Sequence, residues 1–207
     1  LPKKIENLGG GRYEVSSSVR MLEMLKTAYA DGRDACYYLA SAPCEVGGAI
    51  AMNAGTGPRE GRAIFDFVES VKFVRNGKVE ERKACEIEHS HRRTELSENA
   101  FILSAIFNFP KAEIAADPIK ARLDWARENQ DLSVPNCGSL CNKYDARIMK
   151  FTRALFSPLP AGMSKKKLNW AYNKADNPAF LRAFLFVLKA LHGLFGREIK
   201  FEIKSVD

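Results

Sequence analysis

The chain has 207 residues, 46% of them hydrophobic and 28% charged, with 32 Lys and Arg against 25 Asp and Glu for a net charge of +7. Such usage suits a packed core and argues against disorder, and no apolar run reaches the roughly 18 to 20 residues that a membrane span needs. The basic balance fits an anionic partner: a nucleotide cofactor, a sugar nucleotide carrying a diphosphate, or a nucleic acid.

Taken in order, the chain opens on Leu1-Pro2-Lys3-Lys4, which resembles neither a signal peptide nor an initiator segment and reads as a chain whose true N-terminus is missing. Residues 12–20, RYEVSSSVR, alternate like an exposed strand. Residues 20–31 place Met21, Leu22, Leu25 and Ala28 on one helical face, with Gly32 as the stop. The stretch APCEVGGAIAMNAGTG is too apolar for a solvent loop and too rich in glycine for a helix, so it predicts a backbone closely approached by another group. From 63 to 109 the pattern is β, with Asn76-Gly77 as a hairpin turn between AIFDFVESVKFV and KVEERKA, then FILSAIFNF. Residues 111–130 read as a helix with Ile119, Leu123 and Ala126 inward and Trp125 at the boundary, and Pro135 ends the connection. NCGSLCNK at 136–143 is a short segment around Gly138-Ser139. Residues 146–156 read as a helix, 168–172 as a strand, 178–195 as a strongly apolar helix opened by Pro178, and EIKFEIK as a closing strand. The run Lys165-Lys166-Lys167 reads first as a solvated helix face and second as an anion-contacting loop. The fold class is therefore α+β, with a lobe boundary near 107–118. Five cysteines, Cys36, Cys44, Cys85, Cys137 and Cys141, have no framework spacing, and no second pair completes a zinc site. They read as reduced thiols of a cytoplasmic protein.

Four ordered blocks carry a resemblance to a known family. In APCEVGGAIAMNAG, Pro43, Val46, Gly47, Gly48, Ala49, Met52, Asn53, Ala54 and Gly55 match a glycine-rich loop, while Cys44 and Glu45 depart from it. In HRRTEL, Arg92 matches and Thr94 replaces Ser, with His91 and Leu96 departing from Tyr and Phe. Arg127, Gln130, Pro135, Gly138 and Ser139 match a third block, where Leu140, Cys141 and Asn142 depart from x-Phe-Lys. In SKKKLNWAYN and FGREIKFEI, Ser164, Asn173, Phe195, Gly196 and Glu202 match, with Trp170 for Phe and Lys167 for His. Spanning roughly residues 12–205, these blocks resemble the UDP-N-acetylenolpyruvoylglucosamine reductases, the MurB family of flavoenzymes, with the N-terminal flavin-binding lobe absent.

The resemblance implies residues 1–109 as the remainder of an α+β flavin-binding region and 110–207 as a MurB-type α+β substrate-binding domain. It implies FAD as cofactor, NADPH as co-substrate and a UDP-sugar as substrate, in a cytoplasmic enzyme of peptidoglycan precursor synthesis with no membrane or nucleic-acid partner. Val46, Gly47, Gly48, Ala49, Asn53 and Gly55 would line the flavin, with backbone N–H groups turned toward it. Arg92 and Glu202 would face the pyruvyl carboxylate, Ser139 would deliver the proton, and Arg127 and Lys143 would grip the diphosphate or carboxylate. Without the lobe, weak FAD retention is expected. Two other readings stand beside this one: a sugar-nucleotide-binding module without redox activity, or a relative acting on another nucleotide sugar. A basic nucleic-acid-binding domain is disfavoured, because most of the 21 aromatics lie in apolar runs.

Overall fold

The structure, a computed structural model, describes residues 1–56, 61–131, 134 and 136–203. Pro135 and Lys204, both used in the sequence reading, lie outside the described residues. The chain divides into two compact units, Leu1–Trp125 and Ala126–Asp207.

In the first unit, β1 (Ile5–Gly9) and β2 (Arg12–Ser16) form a hairpin, followed by α1 (Met21–Ala30) and α2 (Val46–Ala51). Then come β3 (Val68–Arg75), β4 (Lys78–Lys83), the short hairpin of β5 (His89–Ser90) and β6 (Arg93–Thr94), α3 (Leu96–Asn99) and β7 (Phe101–Asn108). The five-stranded sheet has the order β1-β2-β7-β3-β4, every neighbour antiparallel. The turn between β3 and β4 puts Asn76 at φ 51° and Gly77 at φ 74°, the pair of left-handed residues whose twist matches a two-residue hairpin. Helix α1 buries Met21, Met24, Leu25 and Ala28, and Gly32 at φ 62° ends it.

The strand at 12–16 is not exposed: it lies between β1 and β7 and buries Tyr13 and Val15. Its hydrogen-bonding partner β7 lies some ninety positions away, with Val15 opposite Ala105, so local alternation carries no sign of it. Helix α4 spans Pro118–Asn129 and does not begin near 111. Pro118 lacks an N–H and fits the first helical position, while Asp117 Oδ1 accepts the N–H groups of Ile119 and Lys120, both at 2.9 Å. Ile119 and Leu123 pack into the first core, so residues 110–125, assigned above to the second domain, are grouped with the first unit.

The second unit contains β8 (Asn136–Ser139), β9 (Cys141–Lys143), α5 (Ala146–Leu155), β10 (Ala161–Met163), β11 (Trp170–Asn173), α6 (Ala179–Leu194) and β12 (Lys200–Phe201). A sheet of order β10-β11-β8 and a β12-β9 pair pack with α5 and α6 around Leu140, Met149, Met163, Phe184 and Leu188. Asp145 caps α5, its Oδ1 accepting the Arg147 N–H at 2.8 Å and the Ile148 N–H at 3.3 Å. The Asp145 N–H donates in turn to Nε2 of the fully buried His192, whose Nδ1 pairs with the Leu188 carbonyl. Both ring nitrogens are thereby used, and α6 is tied to the start of α5. Lys165-Lys166-Lys167 lies in the connection between β10 and β11, not on a helix face. Ser164 Oγ organises it, accepting the N–H groups of Lys166 and Lys167 and donating to Asp131 at 2.9 Å.

Candidate functional site

The glycine-rich segment forms a short helix, α2, contrary to the expectation that its glycines forbid one. Two of those glycines serve the chain's own packing. A Cβ on Gly47 would sit 2.8 Å from the Ser17 Cβ, and one on Gly55 would sit 2.3 Å from the Arg62 carbonyl oxygen. The Val46 N–H donates to the Val19 carbonyl and the Gly47 N–H to the Ser17 carbonyl, both at 2.9 Å. Those two N–H groups are spent on the strand end and are not turned toward a cofactor. Gly48 differs: it is exposed, and a Cβ there would meet nothing within 4 Å. Ala49 is buried, facing the core.

Two sequence blocks far apart in the chain meet at this helix. Thr94 Oγ1, buried, donates to the Ala51 carbonyl at 2.9 Å, and Asn53 Nδ2 donates to the Ser90 carbonyl at 2.9 Å. The β5–β6 hairpin is thus fastened across the end of α2. Its turn residue Arg92 has φ 59°, and Asn53 has φ 39°; both are left-handed, which a non-glycine residue adopts at a cost of order 1 kcal/mol. Asn tolerates this conformation better than most residues, whereas Arg has no such preference. The Arg92 strain is held in place by the two bonds that fix the hairpin.

Beside this junction lies a cavity of about 280 Å³, lined by Asn53, Gly55, Arg62, Phe65, His89 and His91 among others. Asn53 is buried, and its Oδ1 has no hydrogen-bond partner among the described residues. A buried acceptor left unpaired is costly, so its presence on a cavity wall marks a position suited to a donor from a bound group. His89 stacks on Phe65 at 4.3 Å between ring centroids, and its Nδ1 lies 2.8 Å from the Ile87 carbonyl oxygen. Neither His89 nor Phe65 carries a sequence motif; only the stacking draws attention to them. Nearby, burial raises the Cys36 thiol to about 12 and pushes the Tyr38 hydroxyl up as well, so both stay protonated at neutral pH. The Arg62 guanidinium lies 5.5 Å from the Tyr38 ring centroid.

In the second unit, Ser139 ends β8 and pairs across the sheet with Trp170 of β11. The Glu202 N–H donates to the Leu140 carbonyl at 2.9 Å, directly after the Phe201–Cys141 pairing of β12 with β9. Ser139 and Glu202, 63 positions apart in sequence, therefore stand at adjoining backbone positions, and both are half-buried. Lys143 lies in β9 with its ammonium paired to Glu198, and Arg127 is exposed in the last turn of α4, its carbonyl accepting the Lys166 ammonium at 3.1 Å. Lys167 and Trp170, which stand for His and Phe in the fourth block, are stacked, the ammonium 4.9 Å from the ring centroid. Arg92 belongs to the first unit, while Ser139, Glu202, Arg127 and Lys143 belong to the second.

Among the described residues no group of three His, Cys, Asp or Glu side chains could hold a metal ion, and no helix is long and apolar enough to cross a membrane. The fold is an α+β fold of the MurB type: a solved MurB structure, the UDP-N-acetylenolpyruvylglucosamine reductase from Thermus caldophilus, superposes with a TM-score of 0.70 over 93% of this chain and 72% of that one, at 19% identity. In sequence the chain is similar to curated proteins named UDP-N-acetylenolpyruvoylglucosamine reductase. That of Pelobacter propionicus is 30% identical over 138 residues, covering 66% of this chain and 46% of the relative. Those of Chloroherpeton thalassium and Oceanobacillus iheyensis are 32% and 26% identical over 181 and 203 residues, covering 79% and 92% of this chain and 57% and 64% of theirs. No family model matches. The chain spans about half the length of the first of these relatives, and resembles them as a MurB-family fragment would. The shared name is that of a reductase, which supports an oxidoreductase kind.

Proposed function

We propose that this chain is the reaction-facing part of an FAD-dependent, NADPH-using reductase acting on the enolpyruvyl group of UDP-N-acetylglucosamine enolpyruvate, giving UDP-N-acetylmuramate for peptidoglycan synthesis in the cytoplasm. The observation that carries this reading is the junction of residues 46–55 with residues 89–94. Two hydrogen bonds lock the glycine-rich helix to the Arg92 hairpin beside a cavity into which Asn53 brings an unpaired buried acceptor. The unpaired Asn53 oxygen, with Gly55 on the same cavity wall, fits a planar donor-bearing cofactor. Bound FAD, reduced by NADPH, would supply a hydride for the terminal carbon of the enolpyruvyl double bond.

The chain's own residues would do the rest. As negative charge develops next to the pyruvyl carboxylate, the Arg92 guanidinium would hold that carboxylate. Glu202 would act in protonated form, because a second bare anion would oppose the charge. Ser139 would give its hydroxyl proton to the carbon bearing the charge, which a serine can do only against a strong carbanion with water excluded. Arg127 and Lys143 would bind the diphosphate. The departures at His91, Cys141 and Asn142 favour, as a second reading, a relative that binds a different nucleotide sugar.

The test is NADPH oxidation by the protein supplied with FAD, with and without the enolpyruvyl sugar nucleotide. Substrate-stimulated oxidation that Ser139→Ala abolishes, with sugar-nucleotide binding retained, supports the reading. Sugar-nucleotide binding with no flavin band after desalting and no oxidation would leave a binding module in its place.

A further inference from the structure

The second unit carries an apolar groove of about 480 Å³ between α5 and the end of α6, with none of the residues of the proposed reaction site in its walls. Ile148 and Leu191 are its more buried members, while Phe151, Leu194 and Phe195 stand in it at 60%, 77% and 64% exposure. Leu155, one helical turn beyond Phe151, is 52% exposed and lengthens the same stripe. Single exposed hydrophobic residues are ordinary; three large ones lining one trough, with Leu155 a helical turn further along α5, mark a surface that meets another molecule.

Charge decides what kind of molecule. Arg147 and Arg197 line the groove, and Lys150 is exposed beside Phe151 on α5. The acidic lining residue, Asp145, caps α5 through its Oδ1 and lies 3.6 Å from Arg197 through its Oδ2, so it offsets part of the Arg197 charge and leaves the lining net positive through Arg147. A second copy of this chain would set these cations against themselves at a net charge of +7 on each molecule. An occupant with acid residues on its flank meets Arg147 and Arg197 favourably. Shape narrows it further, because a trough between two helices takes a row of side chains spaced along a third, whereas a lipid surface lies flat across it.

We propose that this groove docks an amphipathic helix of a partner protein, its apolar stripe entering between Phe151 and Leu194 and its acidic flank facing Arg147 and Arg197. The test selects a displayed library of randomised helical peptides on the 207-residue chain and titrates the enriched peptides by fluorescence anisotropy. Enriched sequences should be acidic, with apolar residues at helical spacing. Phe151→Asp and Leu194→Asp, both on exposed side chains and checked for folding by circular dichroism, should each weaken binding about tenfold or more. Arg147→Glu should weaken it less and flatten its salt dependence. Enrichment of basic or non-helical peptides, or peptides indifferent to both Asp variants, overturns the proposal. So does binding to phosphatidylglycerol vesicles, or a dimer in sedimentation, that Phe151→Asp abolishes.

Discussion

Adjacent glycines in α2 give opposite expectations for the same substitution. Gly47→Ala would place a Cβ 2.8 Å from the Ser17 Cβ and 3.3 Å from the Ser17 carbonyl oxygen, at a point where the Gly47 N–H is already bonded to that carbonyl. Neither neighbour is a flexible side-chain end, so α2 must lift from the strand. Overpacking of this kind costs about 1 to 3 kcal/mol, against about 1 kcal/mol gained from alanine's helix propensity. The net is a loss of about 0 to 2 kcal/mol. Gly48→Ala meets nothing within 4 Å and keeps only the propensity gain, so it should stabilise by up to about 1 kcal/mol. The two variants should therefore unfold at midpoints about 1 to 3 kcal/mol apart in urea, Gly48→Ala being the more stable. Because the chain has two units that can unfold separately, the reading should come from hydrogen exchange at β2 and α2 as well as from the global transition. Equal midpoints, or Gly47→Ala the more stable, would refute the packing argument. On the proposed function, with Gly48 against the flavin, Gly48→Ala should also lower the flavin absorbance retained after desalting although it stabilises the fold, which separates packing from ligand contact.

Asn53→Gly should lose the Ser90 bond yet relieve the left-handed backbone, whereas Asn53→Ala loses the bond and keeps the strain; a thermal melt should place Ala below Gly by about 1 kcal/mol. The Asp145 carboxyl is held below the usual aspartate range, first by the Ile148 N–H and then by the Arg147 N–H. A depressed folded value means that its contribution is complete above the ordinary aspartate range and disappears as pH falls through the lowered value; Asp145→Asn should flatten the acid limb of the second unit's stability, followed by circular dichroism against pH. Iodoacetamide followed by mass spectrometry should modify exposed Cys85 early and Cys36 last, since Cys36 is fully buried and its thiol is raised to about 12. Removing the imidazole acceptor in His192→Phe should leave the Asp145 N–H unpaired and cost about 1 to 3 kcal/mol in urea unfolding of the second unit.

Much of this protein is legible in the sequence alone. Met21, Leu25 and Ala28 repeat at helical spacing and α1 follows; Asn76-Gly77 supplies two residues that accept left-handed backbone and the β3–β4 hairpin follows; the long apolar stretch after Pro178 becomes α6. These are local effects, decided by residues within one or two turns of each other. The α+β class and the likeness to the reductases are legible too, because ordered blocks survive even where single positions depart.

The tertiary structure decided whatever depends on partners distant in the chain. β2 is central because β7 pairs with it, and nothing in RYEVS announces that. Gly47 is required by Ser17 and Gly55 by Arg62, so two glycines that resemble cofactor contacts are explained by self-packing, while Gly48 between them stays open. The bonds from the glycine-rich block to the Arg92 hairpin and from Glu202 to Leu140 each join residues whose separation along the chain exceeds any local periodicity. Composition and spacing determine which segments coil or extend; only the closing of long loops determines which side chains share a wall, because that contact free energy exists in the folded state alone.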